Sequence, residues 1–349
     1  MKLGLLAGAW KRDGRTVSGR TQQEVAALAA EAEGWGFESV WVPESYGGEA
    51  FTQLGWLGAS TKKMRLGSFI MPIWARSPTN CAQAWATLDH LSGGRAVAAL
   101  GVSGPAVAEG WSGKRFEKPV AQTREYVSVM RKVLNWEHPT NKEGRFFPLP
   151  VPEGGTGITQ AIRSTVKPLR ADLPILIGSF GPKNVALTAE IADGWAAGFF
   201  APAKGQFFKA WLDEGFARPG ARRSWEDFQV VASVTAVLDD DLERAAQGTR
   251  QHLALYLSAM GTSERNFQYE LFARMGYEAE ANRIRALWLE GRKAEAAAAV
   301  TMPMVDAIAL VGPKGRIRDG RAKWRESFVT TLAVNGSREA LRTVAEFAA

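Results

Sequence analysis

Apolar runs alternate with helix-like stretches along most of this chain, and that β-then-α order constrains its fold more than any other feature. The clearest case is LDHLSGGRAVAALGVSGPAVAEGW, from Leu88 to Trp111. A helix carrying Trp85 and Leu88 is expected to stop at Gly93 and Gly94, because glycine tolerates the left-handed backbone that ends helices. Ala96 to Leu100 follows as an apolar run without alternation, the pattern of a strand covered on both faces. Pro105 then suits the first turn of another helix.

Eight such strands are expected: Leu3 to Ala7, Ser39 to Val42, Leu66 to Met71, Ala96 to Leu100, Pro174 to Ile177, Trp195 to Phe200, Gln229 to Leu238, and Thr331 to Val334. Helices between them include Gln22 to Glu33, Phe51 to Ser60, Pro119 to Leu134 and Asn184 to Ala192. A regular β-then-α order demands parallel strands, and eight units close into a TIM (β/α)8 barrel. The 349 residues are therefore read as one α/β barrel domain with two insertions. Residues 137–173, rich in proline and glycine, form a long loop read as a substrate wall or lid at the ligand end. Residues 242–325 form a mainly helical excursion before the last strand.

Two strand-to-helix loops share one grammar. Gly101, Ser103, Gly104 and Pro105 follow one strand, and Gly178, Ser179, Phe180, Gly181 and Pro182 follow another. Either loop alone could simply be a tight turn. As a pair at C-terminal strand ends, they favour a ligand, because free N–H groups at a helix start attract phosphate or carboxylate.

The remaining features narrow the function by exclusion. The three histidines, His90, His138 and His252, lack metal-ligand spacing, so no metal site is expected. No Gly-x-Ser-x-Gly elbow and no phosphate-binding P-loop occurs, which leaves a borrowed redox cofactor as the source of reactivity. The single cysteine, Cys81, cannot form an internal disulfide and points to a reducing, cytoplasmic compartment. The apolar start MKLGLLAGAW reads as a first barrel strand rather than a signal peptide, and no run approaches a membrane span. An excess of 43 basic over 36 acidic residues favours an anionic ligand, with the basic helix around Lys314 to Arg325 read as a solvated face rather than a nucleic-acid site.

Taken together, WVPESYGGEAFTQLGW (Trp41 to Trp56), RLGSFIM (Arg65 to Met71), ARSP (Ala75 to Pro78), LDHLSGGR (Leu88 to Arg95), SGPAVAEGW (Ser103 to Trp111) and GPKNVALTAEIADGW (Gly181 to Trp195) resemble the luciferase-like monooxygenase superfamily, in its branch of coenzyme F420-dependent oxidoreductases. The resemblance implies a deazaflavin cofactor, a small organic substrate, a homodimer, and an excursion that covers the active site. It also implies a non-prolyl cis peptide in the third strand, placed at Phe69–Ile70. Trp10, Phe69 and Ile70, with Ser68 beside them, would flank the ring. The backbone at Val102, Ser103, Gly104 and Pro105, and at Gly178, Ser179, Phe180, Gly181 and Pro182, would hold polar or phosphate parts.

In the superfamily, an acidic residue after the second strand is often followed by histidine, whereas here Glu44 is followed by Ser45. The candidate acid or base is therefore Glu44, Tyr46 or Glu109. The expected activity is hydride transfer between F420 and a small organic molecule. An FMN-dependent monooxygenase working with a separate flavin reductase is the alternative, and a non-catalytic flavin- or anion-binding barrel is a third reading.

Overall fold

The computed structural model describes residues 1–349 except 9, 10, 14, 17, 153, 159, 260–265, 348 and 349. Ten strands form one parallel sheet: β1 (Lys2–Leu6), β2 (Ser39–Val42), β3 (Arg65–Ser68), β4 (Met71–Pro72), β5 (Ala96–Gly101), β6 (Ile175–Gly178), β7 (Gly194–Ala197), β8 (Gln229–Leu238), β9 (Ala309–Gly312) and β10 (Thr331–Gly336). β10 pairs with both β8 and β1, so the sheet closes, as the β-then-α order demanded. β3 and β4 are two pieces of one stave running beside β5, and eight staves therefore make the barrel.

Most staves are buried on both faces, which explains runs such as AVAALG. Along β5, Val97 and Ala99 point into the barrel while Ala96, Ala98 and Leu100 pack under the helices. The barrel interior is filled by Trp41 with Val97, Ala99, Leu176, Ala196, Val231 and Ala333. Trp41 donates its indole N–H to Ser39 Oγ at 2.9 Å. Neighbouring staves make room by carrying glycine: a methyl at Gly4 would lie 2.6 Å from Trp41 Nε1, and one at Gly67 would overlap the ring. Burying an aromatic of about 200 Å² contributes about 5 kcal/mol.

The helices begin and end where local chemistry dictates. Thr21 and Glu24 form a capping box on the helix Gln22–Gly34. Ser77 caps Pro78–Ser92 from Asn80 N, and Gly93, at φ +66°, ends it as expected.

Three expectations need correction. The third strand does not run unbroken from Leu66 to Met71: the Phe69–Ile70 peptide is cis and splits it. The sixth expected strand, β7, begins at Gly194 and stops at Ala197, short of Phe200, because Phe199 adopts a left-handed φ of +52°. The excursion contains β9, which pairs with the last four residues of β8 through Thr235↔Ala309 to Leu238↔Gly312. β7 occupies that same edge of β8 only as far as Ala232, so the edge is free for β9 above it.

The long loop is also misplaced by the sequence reading. It leaves the helix Pro119–Leu134 and enters β6, so in a β/α barrel it must reach the N-terminal strand ends, opposite the ligand side. His90 Nε2 bonds Lys167 O at 3.0 Å, and Arg170 reaches Asp89 and the carbonyl of Ala96 at the start of β5. That end of the segment therefore braces the base of the barrel, while Phe147 packs edge-on against Tyr126 in the first half of the helix Pro119–Leu134. Among the described residues, no helix is long and apolar enough to cross a membrane, and no cluster of His, Cys, Asp and Glu is placed to hold a metal.

Candidate active site

The C-terminal strand ends converge on the cis peptide. Ile70 lies against the last residues of β5 and β6: a methyl on Gly101 would overlap Ile70 Cδ1, and one on Gly178 would come within 2.9 Å of Ile70 Cγ2. Phe69 stands edge-on to Trp41, with ring centroids 6.4 Å apart. The two Gly-Pro loops and the Phe69–Ile70 pair, far apart in sequence, thus meet above the filled interior.

Each loop presents free backbone donors. In the first, the amides of Ser103, Gly104 and Ala106 make no hydrogen bond among the described residues, and Ser103 holds a left-handed φ of +49°. In the second, the helix Pro182–Ile191 has Gly181 at its cap with no side chain satisfying the first turn, and the amides of Lys183 and Asn184 are unpaired among the described residues. A methyl placed on Gly104 or Gly181 would meet nothing within 4 Å, so open space lies in front of both. Lys183, exposed and without an ion pair among the described residues, adds positive charge where the helix dipole already favours an anion.

Two of the named residues turn their hydroxyls away from this space. Ser68 is fully buried and its Oγ bridges β5, donating to Ala99 O at 2.6 Å and accepting from Ala99 N at 3.1 Å. It fills the gap in the ladder left where β3 gives way to β4. Ser179 is likewise buried: its hydroxyl pairs with Thr188 Oγ1 at 3.0 Å and its carbonyl accepts the Trp195 indole at 3.0 Å. Val102 spends its carbonyl on Trp74 Nε1 at 2.6 Å, which ties the first loop to the residues after β4. Trp10 lies outside the described residues.

The three acid–base candidates occupy different surroundings. Glu44 follows β2 with its side chain buried, one oxygen 2.8 Å from Arg76 Nη1 and the other accepting Ala50 N at 2.9 Å. Arg76 also pairs with Glu49, which caps the helix Ala50–Ser60, and lies 5.0 Å over the Phe51 ring. Glu109 is exposed and accepts Phe116 N at 3.1 Å, closing the turn after the short helix Pro105–Ala108. Tyr46 is 60% exposed at the mouth.

Sequence reasoning missed a second set of residues. Beyond β7, Phe199 stacks on His252 (5.6 Å, 21° between planes) and touches Tyr256 at 5.2 Å and Phe180 of the second loop at 6.4 Å. His252 and Tyr256 stand one turn apart on the excursion helix Leu242–Ala259, rings 4.3 Å apart. Tyr256 also feels Tyr46, so this helix reaches across the mouth toward the β2 loop. The available signal was the H-x-x-x-Y spacing, which sets both rings on one helix face.

A family model described as luciferase-like monooxygenase matches residues 1–331. The chain belongs to the luciferase-like monooxygenase family. One relative in Mycobacterium tuberculosis, whose name proposes a coenzyme F420-dependent oxidoreductase, is 45% identical over 99% of this chain and 98% of its own length. Among solved structures, this family member resembles the coenzyme F420-dependent tetrahydromethanopterin reductase of Methanopyrus kandleri, with TM-score 0.76, 22% identity, and coverage of 99% of this chain and 97% of that one. It also resembles a type II Baeyer–Villiger monooxygenase of Pseudomonas putida in complex with FMN, with TM-score 0.66, 16% identity, and coverage of 99% and 97%. At these identities, the solved structures speak for the shared barrel.

Proposed function

We propose that this luciferase-like protein is an F420-dependent oxidoreductase that transfers a hydride between the deazaflavin and a small organic substrate. The observation that carries the reading is the convergence of two amide-lined Gly-Pro loops on the Phe69–Ile70 corner, supported by the extensive likeness to the M. tuberculosis relative. The residues fit such a cofactor. Free amides at Ser103, Gly104, Lys183 and Asn184, with the Lys183 ammonium, suit phosphate oxygens. Phe69 and Ile70 supply an apolar floor for a flat ring. When bound, the deazaflavin supplies two-electron hydride chemistry.

The chain's own side chains then divide the work. Glu44, with both oxygens engaged, holds Arg76 and the start of the helix Ala50–Ser60. Glu109 shapes the first loop through Phe116. Tyr46, exposed at the mouth, is placed to meet a substrate.

Equilibrium titration tests the assignment. The deazaflavin is expected to bind at least about tenfold tighter than FMN, and more weakly as salt rises, because Lys183 is exposed to screening. Tighter binding of FMN, with no hydride exchange from the deazaflavin, would favour the reduced-flavin monooxygenase reading, which the FMN-bound relative of the same fold keeps open.

A further inference from the structure

Before it enters β6, the long loop crosses the base of the barrel as a strap held at four points. Trp136 donates its indole N–H to Ser164 O at 2.9 Å, and His138 Nδ1 meets Ala161 O at 2.8 Å. Further along, His90 Nε2 meets Lys167 O at 3.0 Å and Arg170 binds Asp89 at 2.9 Å. Trp136 and His138 follow the end of the helix Pro119–Leu134, and Asp89 and His90 close the helix Pro78–Ser92. Residues 161–170 therefore lie across the end of the barrel opposite the two Gly-Pro loops. The strap buries Ala161 and Pro168 and turns its larger aliphatics outward. Ile162 is 83% exposed, Val166 61% and Leu169 50%, and Leu91, next to His90, is 79% exposed. Aliphatics gathered in this way mark an interaction surface, whereas single exposed ones are ordinary.

The charge of this surface is one-sided. From Gly154 to Ala171 the sequence holds no acidic residue. Arg163 stands 4.3 Å over the Trp136 ring and Lys167 Nζ lies 5.8 Å from it, and neither has an ion pair among the described residues. Beside them lies a recess of about 380 Å³ whose walls include Trp136, His138, Gln160, Arg163, Ser164 and Thr165. The side chains of Gln160, Arg163 and Thr165 make no hydrogen bond among the described residues, which leaves donors for an anion.

We propose that this end of the barrel docks on an anionic lipid surface. A headgroup phosphate enters the recess, Ile162, Val166 and Leu169 reach the acyl boundary, and Arg163 and Lys167 stay at headgroup level with the Trp136 indole. Such an interface accommodates cations, an indole and aliphatics at neighbouring depths. The same charge disfavours a second copy: a two-fold contact through the patch would set Arg163 and Lys167 against their own copies, with no carboxylate of the strap to offset them. The protein lies on the bilayer in this arrangement, and the Gly-Pro loops face away from the lipid. Docking is therefore independent of the hydride-transfer reading.

Flotation of the full chain with vesicles tests the proposal. Vesicles of phosphatidylcholine with about one third phosphatidylglycerol should bind the protein at least about tenfold more tightly than pure phosphatidylcholine, and raised salt should weaken that binding. Arg163→Gln combined with Lys167→Gln should lower affinity for the anionic vesicles by about thirtyfold, roughly a factor of five per cation. Ile162→Ser combined with Val166→Ser should lower it by about tenfold or more while the salt dependence persists. All four positions are exposed, so thermal unfolding should match the wild type. Equal binding to neutral vesicles, or no loss in either double variant, overturns the proposal. Sedimentation equilibrium showing a dimer that Ile162→Glu dissociates would overturn it too and assign the patch to a second copy. Binding of glycerol 3-phosphate in solution while vesicles go unbound would overturn it in favour of a small-anion site.

Discussion

Glu44→Gln separates a holding role from a proton-handling one. The substitution keeps size and leaves an amide oxygen for Ala50 N, but it removes the charge 2.8 Å from Arg76 Nη1 in a nearly dry setting, with side-chain exposures of 7% and 15%. Breaking a buried pair by removing one partner costs about 3–5 kcal/mol. Arg76 still has Glu49, whose carboxylate is about half exposed, and the glutamine still accepts a hydrogen bond, so about 2 kcal/mol is expected here. Unfolding entropy of about 2.1 cal/mol/K per residue gives about 0.7 kcal/mol/K for a chain of this length, so Tm should fall by about 3 °C. Turnover measured well below Tm should drop less than tenfold. Thermal scanning and deazaflavin-linked turnover on the same preparation decide the matter. An unchanged Tm together with a loss of about 100-fold in rate would refute this reasoning and make Glu44 the acid or base.

Asp193 offers an acid-linked test. It accepts Ile175 N at 2.8 Å and pairs with Arg131, Arg222 and Arg223 at the base of the barrel. Burial alone would raise its carboxyl, but Arg131, the Ile175 amide and Arg222 outweigh burial and hold it below the usual carboxylate range. A depressed folded pKa stabilises above the unfolded value near pH 4 and is lost as pH falls through the folded value. Asp193→Asn should therefore cost about 3–5 kcal/mol at pH 7, with the gap to wild type narrowing below about pH 4 in denaturant titrations. Gly67→Ala drives a methyl into the enclosed Trp41 ring and should lower stability by about 1–3 kcal/mol in the same titrations. Gly101→Ala displaces Ile70 instead and should weaken deazaflavin binding by about tenfold or more in a fluorescence titration. Cys81 is buried, and burial pushes its thiol up to about 11, so iodoacetamide should label it only as the protein unfolds, as mass spectrometry would record.

The staves were legible because burial on both faces leaves an unmistakable mark: AVAALG and PILIG are apolar throughout and end at glycine. β9 carried the same mark, ALVG followed by Pro313, and escaped notice because it sits among helices in a segment read as one unit. The cis bond at Phe69–Ile70 was reached through family resemblance alone, since RLGSFIM contains no proline to suggest it. Ser68 and Ser179 turn their hydroxyls into the packing: a hydroxyl at a strand end can face a ligand or stitch its neighbours. That choice is made by Ala99, 31 positions from Ser68, and by Thr188, two turns along the next helix. His252 was set aside for want of metal spacing. Its setting depends on Phe199, whose left-handed backbone swings its ring toward the excursion helix.

Closure of the cylinder by β10 has a consequence for how the protein is made. Lys2 pairs with Thr331, and Asn335 reaches back to Leu6 O at 2.9 Å, so the first stave waits 329 positions for its partner. At a ribosomal speed of about 5–20 residues per second, that wait lasts roughly 16–66 s. Throughout it, β1 offers a bare strand edge, the kind of surface that recruits neighbouring nascent chains. Production of this protein is therefore expected to be governed by chaperone supply and synthesis rate. A truncation removing β10 should yield aggregate rather than a smaller working enzyme.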